Sequence, residues 1–98
     1  MSRFVVMMEK KAKKDYDELV RQGHGEKING ILMQLEEDPF KTPFERLSGE
    51  YRDYYSRRVN RIDRVVYRII EGDGDDPNIV VVVRMRTHYR GLFSFFFV

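Results

Sequence analysis

The sequence contains no cysteine, so disulfides and thiolate metal sites are excluded, although the redox compartment is not fixed by that alone. No apolar run approaches the ~20 residues of a membrane-spanning helix. The opening Met-Ser-Arg-Phe-Val-Val-Met-Met-Glu is too short and too soon charged for a signal peptide. A soluble, cytoplasmic protein with no membrane contact is therefore expected. Excess charge of one sign is also missing: 18 basic and 16 acidic residues leave a net +2, so total charge says little about partners. Neither an internal repeat nor a low-complexity segment appears. The 98 residues suffice for one hydrophobic core and are too few for two, so a single domain over 1–98 is expected.

What is present is unevenly placed. Lysine crowds the first half at Lys10, Lys11, Lys13, Lys14 and Lys27, whereas arginine dominates from Arg46 to Arg90. Arginine's planar fork suits phosphate, and lysine more often solvates a helix surface. The richest stretch is Tyr54 to Tyr67, where aromatic and β-branched residues interleave with arginine and favour strands. Asn60, Arg61 and Asp63 near its middle suggest a hairpin turn. A turn centred on Arg61 sets Arg58 opposite Arg64 on one face, because side chains alternate and opposed residues share a face. Two opposed arginines repel, so the pairing signals either a solvated basic face or a place where an anion sits.

Elsewhere the pattern is plainer. Arg3 to Met8 reads as a first strand. Ala12, Tyr16, Leu19 and Val20 form the apolar stripe of a helix that ends at Gly23 and Gly25. Ile28, Ile31, Leu32 and Leu35 form the stripe of a second helix, stopped at Asp38-Pro39. Phe40 to Glu50 reads as a loop. Arg64 to Ile70 completes the hairpin, and the acidic stretch from Glu71 to Asn78 is an exposed turn that lacks the ligand spacing of an EF-hand. Ile79 to Arg86, with its unbroken apolar start, reads as the most buried strand. Tyr67 alternates with inward apolar neighbours and is expected in the core, while His24 sits between two loop glycines and suggests no chemistry. The fold class is α+β: an N-terminal strand and a two-helix hairpin packed on a small twisted antiparallel sheet, in the order β-α-α-β-β-β.

Four motifs in this order carry a resemblance: Asp38-Pro39-Phe40, Tyr55-Ser56-Arg57-Arg58-Val59-Asn60, Arg64-Val65-Val66-Tyr67-Arg68 and Arg86-Thr87-His88-Tyr89. Together they resemble the YoeB/Txe branch of the RelE superfamily, toxins of type II toxin-antitoxin systems that cleave messenger RNA on the ribosome. The resemblance implies a RelE-like fold up to Tyr89 and a role for each matching position. Glu45 matches the general-base glutamate, Arg64 the phosphate-stabilising arginine, Arg58 the second arginine of Ser-Arg-Arg, and His88 with Tyr89 the terminal pair. Arg46 stands where the family has proline and Ser48 where it has lysine. Typical members end at His-Tyr, whereas this chain continues as an apolar extension over 90–98 that must turn away from the site, for which Gly91 is placed. Exposed, Phe93, Phe95, Phe96 and Phe97 would favour aggregation, so their burial is expected.

The implied chemistry needs a base for the 2′-hydroxyl, an acid for the departing 5′-oxygen and positive charge at the phosphate. Glu45 is the candidate base, His88 the acid, and Arg64 with Arg58 the clamp. Arg57 and Arg86 are further candidates for phosphate, and Tyr89, Tyr54 and Tyr55 for stacking on a splayed base. No metal or cofactor is implied. The implied partners are a cognate antitoxin of YefM/Phd-like type with an acidic or amphipathic segment, the 70S ribosome with its message, and a second copy of the chain. The alternative is a RelE-like module that binds RNA or antitoxin through the same basic face without cleavage.

Overall fold

The computed structural model describes residues 4–41, 44–47 and 49–86. The chain forms β1 (Phe4–Met8), α1 (Lys10–Arg21), α2 (Gly25–Glu37), β2 (Glu45–Arg46), a short 3-10 turn at Gly49–Tyr51, β3 (Tyr54–Arg58), β4 (Arg64–Ile70) and β5 (Asn78–Arg84). The five strands make one sheet in the order β1-β5-β4-β3-β2. The antiparallel β3-β4-β5 meander is as the pattern suggested. β1 joins it parallel to β5, with Val6 beside Val80. β5 thus gains a neighbour on each side; Val80 and Val82 are fully buried, but Ile79, Val81 and Val83 are only half-buried, and β4, with Val65, Val66 and Tyr67 buried, is covered more fully than the run expected to be the most buried strand. The segment read as a loop from Phe40 to Glu50 instead contributes the two-residue edge strand β2, paired to β3 with Glu45 opposite Ser56. Two residues are too few to show an alternating pattern, so this strand left no periodic signal.

The helices bury one stripe each against the sheet: Ala12, Asp15 and Leu19 from α1, and Ile28, Ile31 and Leu35 from α2. Val20 was placed on the stripe, yet it is 41% exposed. At about 100° per residue it stands about 80° from Ala12, whereas Asp15 lies about 60° away on the other side and Leu19 between Asp15 and Ala12. The hairpin between the helices is fixed by Gly23, whose φ of +93° is left-handed. That conformation lets Gly23 N–H donate to the Val20 carbonyl at 3.0 Å and His24 N–H to the Leu19 carbonyl at 2.9 Å, the paired bonds of a Schellman close.

The main core lies between helices and sheet and includes Val65, Tyr67, Val80, Val82 and Met85. A smaller cluster on the sheet's other face joins Leu47 and Val66 to Tyr51, Tyr54 and Val83. Tyr67 is fully buried, and its hydroxyl donates to the Pro39 carbonyl at 3.0 Å. Burial holds this phenol well above its usual range, against the weaker opposing pull of the Arg57 charge. Because the folded value exceeds the unfolded value of ~10, Tyr67 contributes stability that is fully present below pH ~10 and is lost as pH rises toward the folded value. Tyr67→Phe is expected to lower stability at neutral pH by about 1–2 kcal/mol, through the orphaned carbonyl, and to flatten the loss above pH ~10. Urea unfolding followed by circular dichroism at pH 7 and at alkaline pH checks both effects.

In the acidic turn, a Cβ built at Gly72 falls 2.3 Å from the Asp76 carbonyl oxygen. Gly72→Ala is therefore expected to rearrange the β4–β5 connection and to lower stability by about 1–3 kcal/mol, seen as a lower urea midpoint. Among the described residues no helix is long and apolar enough to cross a membrane.

Candidate functional site

The hairpin places the site. Val59 to Asp63 form its turn, closed by Val59 N–H donating to the Asp63 carbonyl at 2.9 Å. The Asn60 side chain shapes it by accepting from Ile62 N–H at 2.8 Å and Asp63 N–H at 2.7 Å, the local bonding that makes asparagine a turn former. The resulting register sets Arg58 opposite Arg64, as the spacing around Arg61 suggested. Tyr54, Ser56 and Arg58 share the face turned away from the helices, together with their partners Arg68, Val66 and Arg64. β2 adds Glu45 to this face through its pairing with Ser56.

On that face a carboxylate and a guanidinium meet. Arg64 Nη1 lies 2.6 Å from Glu45 Oε1 and donates to Ser56 Oγ at 3.0 Å. The Arg64 side chain is only 14% exposed, against 62% for Glu45. Arg58 turns outward instead, and its Nη1 donates to the Arg61 carbonyl at 3.3 Å. The two opposed arginines thus take different partners. Glu45, Ser56, Arg58 and Arg64 line a pocket of about 490 Å³ together with Lys27, Ile31, Phe44, Arg57 and Val59. With guanidinium groups on two sides and a carboxylate at the rim, the pocket combines anion binding with a proton acceptor.

The other sequence candidates are distributed differently. Arg57 points to the opposite face from Arg58, as neighbours on a strand must. It is 4% exposed and bonds Gln34 on α2, so it borders the pocket from beneath and does not present a solvated phosphate contact. Tyr55 is on the helix side as well. Its ring stacks on Tyr67 with centroids 5.8 Å apart, meets Phe40 and Phe44 edgewise, and lies 5.8 Å from the Arg46 guanidinium. These contacts hold the half-buried ring on the helix side, where it lines a separate groove with Phe40 and Arg68 and not the Glu45 pocket. Tyr54 does share the face of Arg64, packed on Tyr51 at 5.7 Å. Arg86 is drawn toward α1, where its backbone N–H donates to Asp15 at 3.2 Å, and it borders a groove with Lys11, Lys14 and Arg84 in place of the Glu45 pocket.

His88, Tyr89 and the 90–98 extension lie outside the described residues. β5 runs antiparallel to β4 with Arg84 opposite Val66, so the C-terminal end of β5 lies toward the Arg64 end of β4. Three residues of the site went unassigned in the sequence. Ser56 was quoted within a motif, and its place two residues before Arg58 on the same face was the available signal. Lys27 and Phe44 have no such signal, because only the docking of α2 and of the segment before β2 brings them in.

Residues 8–89 match the family model described as the YoeB-like toxin of bacterial type II toxin-antitoxin system. Among the curated proteins, none matches the chain. Among solved structures, the YoeB/ParE toxin from Agrobacterium tumefaciens is similar at 29% identity, covering 88% of this chain and 100% of its own, with a TM-score of 0.74. The YoeB dimer from Staphylococcus aureus is similar at 25% identity, with 90% and 100% covered and a TM-score of 0.70. YafQ within the E. coli DinJ-YafQ toxin-antitoxin complex, at 16% identity, 87% and 92% coverage and a TM-score of 0.66, shares the fold.

Proposed function

The chain belongs to the YoeB-like toxin family of bacterial type II toxin-antitoxin systems, and from that premise we propose that it is an endoribonuclease cutting messenger RNA in the ribosomal A site. The observation that carries the reading is the Glu45–Arg64 contact at 2.6 Å, with Arg58 opposite Arg64 in the ladder and lining the same pocket. A scissile phosphodiester entering the pocket offers its oxygens to Arg64, which exchanges the carboxylate for the phosphate and keeps Ser56 behind it. Glu45, released at the rim, accepts the proton of the adjacent 2′-hydroxyl as that oxygen attacks phosphorus. Arg64 and Arg58 neutralise the charge that builds on the non-bridging oxygens. The bond to the 5′-oxygen breaks, and His88 gives that oxygen a proton. The products are a 2′,3′-cyclic phosphate and a 5′-hydroxyl.

Much of the acceleration comes from holding the message in line for attack, which is the contribution of the 70S ribosome. Tyr54, on the same face, and Tyr89 stack on bases splayed from the message. The inhibitor is a YefM/Phd-like antitoxin whose acidic segment occupies the arginine pocket, in keeping with the YoeB-YefM complex from Staphylococcus aureus among the structural neighbours. Pairing of two copies accords with the neighbouring YoeB dimer.

Primer extension on ribosomes programmed with a defined message tests the proposal. Wild-type protein is expected to produce new 5′ ends within the A-site codon. Arg64→Ala is expected to cut about a hundredfold more slowly while remaining folded by circular dichroism. Undiminished cutting by Arg64→Ala, or antitoxin binding with no cutting by the wild type, overturns it, the latter in favour of a module that only binds.

A further inference from the structure

The pocket at Glu45 is larger than a phosphate needs. Its volume of about 490 Å³ falls among small-molecule sites, which run from about 300 to 1,000 Å³, whereas four phosphate oxygens at the ~30 Å³ share of a water need only about 120 Å³. The strand register shows where the extra room comes from. Among the described residues, β2 pairs with β3 at Glu45–Ser56 and Arg46–Tyr55 alone, so Arg57, Arg58 and Val59 run on past the end of the edge strand. The pocket passes round that end, from the open face of the sheet to α2. Its lining is accordingly in two halves. Glu45, Ser56, Arg58 and Arg64 make the polar half; Ile31, Phe44 and Val59 make the apolar one, with Lys27 one helical turn before Ile31 on the same side of α2. Lys27 is exposed, and Phe44 is half-buried with its ring edgewise to Tyr55, centroids 5.6 Å apart.

We infer that the apolar half is a subsite for the base of the nucleotide whose 2′-hydroxyl attacks, and that it favours a base with a carbonyl edge, guanine or uracil. The inference rests on the proposed cleavage of messenger RNA. A nucleotide joins a phosphate to a ring with apolar faces and a polar edge, which is the same division as the lining. Covalent geometry decides which nucleotide is held. The base and the 2′-hydroxyl sit on adjacent ribose carbons, and Phe44 is the chain neighbour of Glu45, so a ribose that offers its hydroxyl to Glu45 carries its base toward Phe44. Phe44 is the ring on which that base stacks. The edge of the base is read by Lys27, an ammonium with three donors and no acceptor. Guanine O6 or uracil O4 accepts from it, whereas adenine and cytosine present an amine donor at the corresponding position.

The experiment is single-turnover cleavage on 70S ribosomes programmed with messages that differ only in the nucleotide 5′ to the cut. That nucleotide carries uracil, cytosine, or no base at all on a ribose that keeps its 2′-hydroxyl and phosphate. Wild-type protein is expected to cut the uracil message about tenfold faster than the cytosine message, and Lys27→Met to abolish the difference. Phe44→Ala is expected to slow the uracil message about tenfold and to leave unchanged the abasic message, which the wild type already cuts about tenfold more slowly. If circular dichroism shows Phe44→Ala unfolded, Lys27→Met, at an exposed position, carries the test. Equal cutting of the uracil and abasic messages by the wild type, or an equal loss from Phe44→Ala on both, overturns the subsite and leaves the endoribonuclease standing. A preference for uracil that survives Lys27→Met overturns the reading of the base edge. No cutting of any message by the wild type overturns the proposed function, and that result is distinguishable because it needs no substitution.

Discussion

Glu45→Gln is expected to slow cleavage by about 10²- to 10⁴-fold, the range for losing a positioned general base, while binding uncleavable message more tightly than the wild type. The two effects have opposite signs for one reason. In the free protein Glu45 occupies the Arg64 guanidinium at 2.6 Å, so an incoming phosphate has to displace a carboxylate and then sit beside its negative charge. Glutamine removes both obstacles and leaves Arg64, Arg58 and Lys27 around the pocket. The gain in binding is modest, on the order of 1 kcal/mol or less, because Glu45 is 62% exposed and its ion pair is screened by water. Single-turnover rates, measured alongside affinity for a message with a 2′-O-methyl group at the cut site, separate the two effects. If Glu45 served only to hold Arg64 in place, glutamine would weaken binding and cleavage together, and that parallel loss would count against its role as the base.

Asp15→Ala carries the largest expected change in stability, a loss of about 3–5 kcal/mol, as found when one partner of a buried ion pair is removed. The substitution removes the carboxylate that accepts from the Arg84 guanidinium, whose side chain is 21% exposed, and from the Met85 and Arg86 amides. A small domain has about 5–15 kcal/mol in total, so the melting temperature should fall by more than ~12 °C. The surface pair Lys13–Asp17 provides the contrast. It lies 3.6 Å apart with both side chains more than half exposed, and Asp17→Ala is expected to change stability by less than about 0.5 kcal/mol. Urea unfolding of both variants checks the ranking. A loss below about 1 kcal/mol for Asp15→Ala would show that the buried cluster contributes little to the fold.

The parts of the fold legible in the sequence are those governed by a period. Alternation along Tyr54 to Tyr67 was enough to set Arg58 against Arg64 and to bury Tyr67, and helical spacing was enough to find the stripes of α1 and α2. What a period does not convey is which face of a sheet the helices will cover. Arg57 and Arg58 both looked like phosphate ligands, yet adjacent strand residues point to opposite sides, and docking of α2 buried the first of them against Gln34. Tyr55 faces the helix side for the same reason, half-buried against Tyr67 and away from the Arg64 face. Asp15 was legible in principle, since a carboxylate between Ala12 and Leu19 breaks the apolar stripe, but its partners lie 69 to 71 residues away. The pairing of Glu45 with Arg64 needed the family resemblance together with the edge strand β2, and neither helical nor strand periodicity contains it.

The central claim is that the edge-strand carboxylate of Glu45 and the hairpin guanidinium of Arg64 act on one phosphodiester through its neighbouring 2′-hydroxyl. Replacing that single hydroxyl by hydrogen, in a message programmed into 70S ribosomes with the cut codon in the A site, tests it most directly. Cleavage at the modified nucleotide is expected to disappear while the protein still binds the complex and still cuts the all-ribose message to a 2′,3′-cyclic phosphate. Continued cutting at the deoxy position, leaving a 3′-hydroxyl or an uncyclised phosphate, would contradict it.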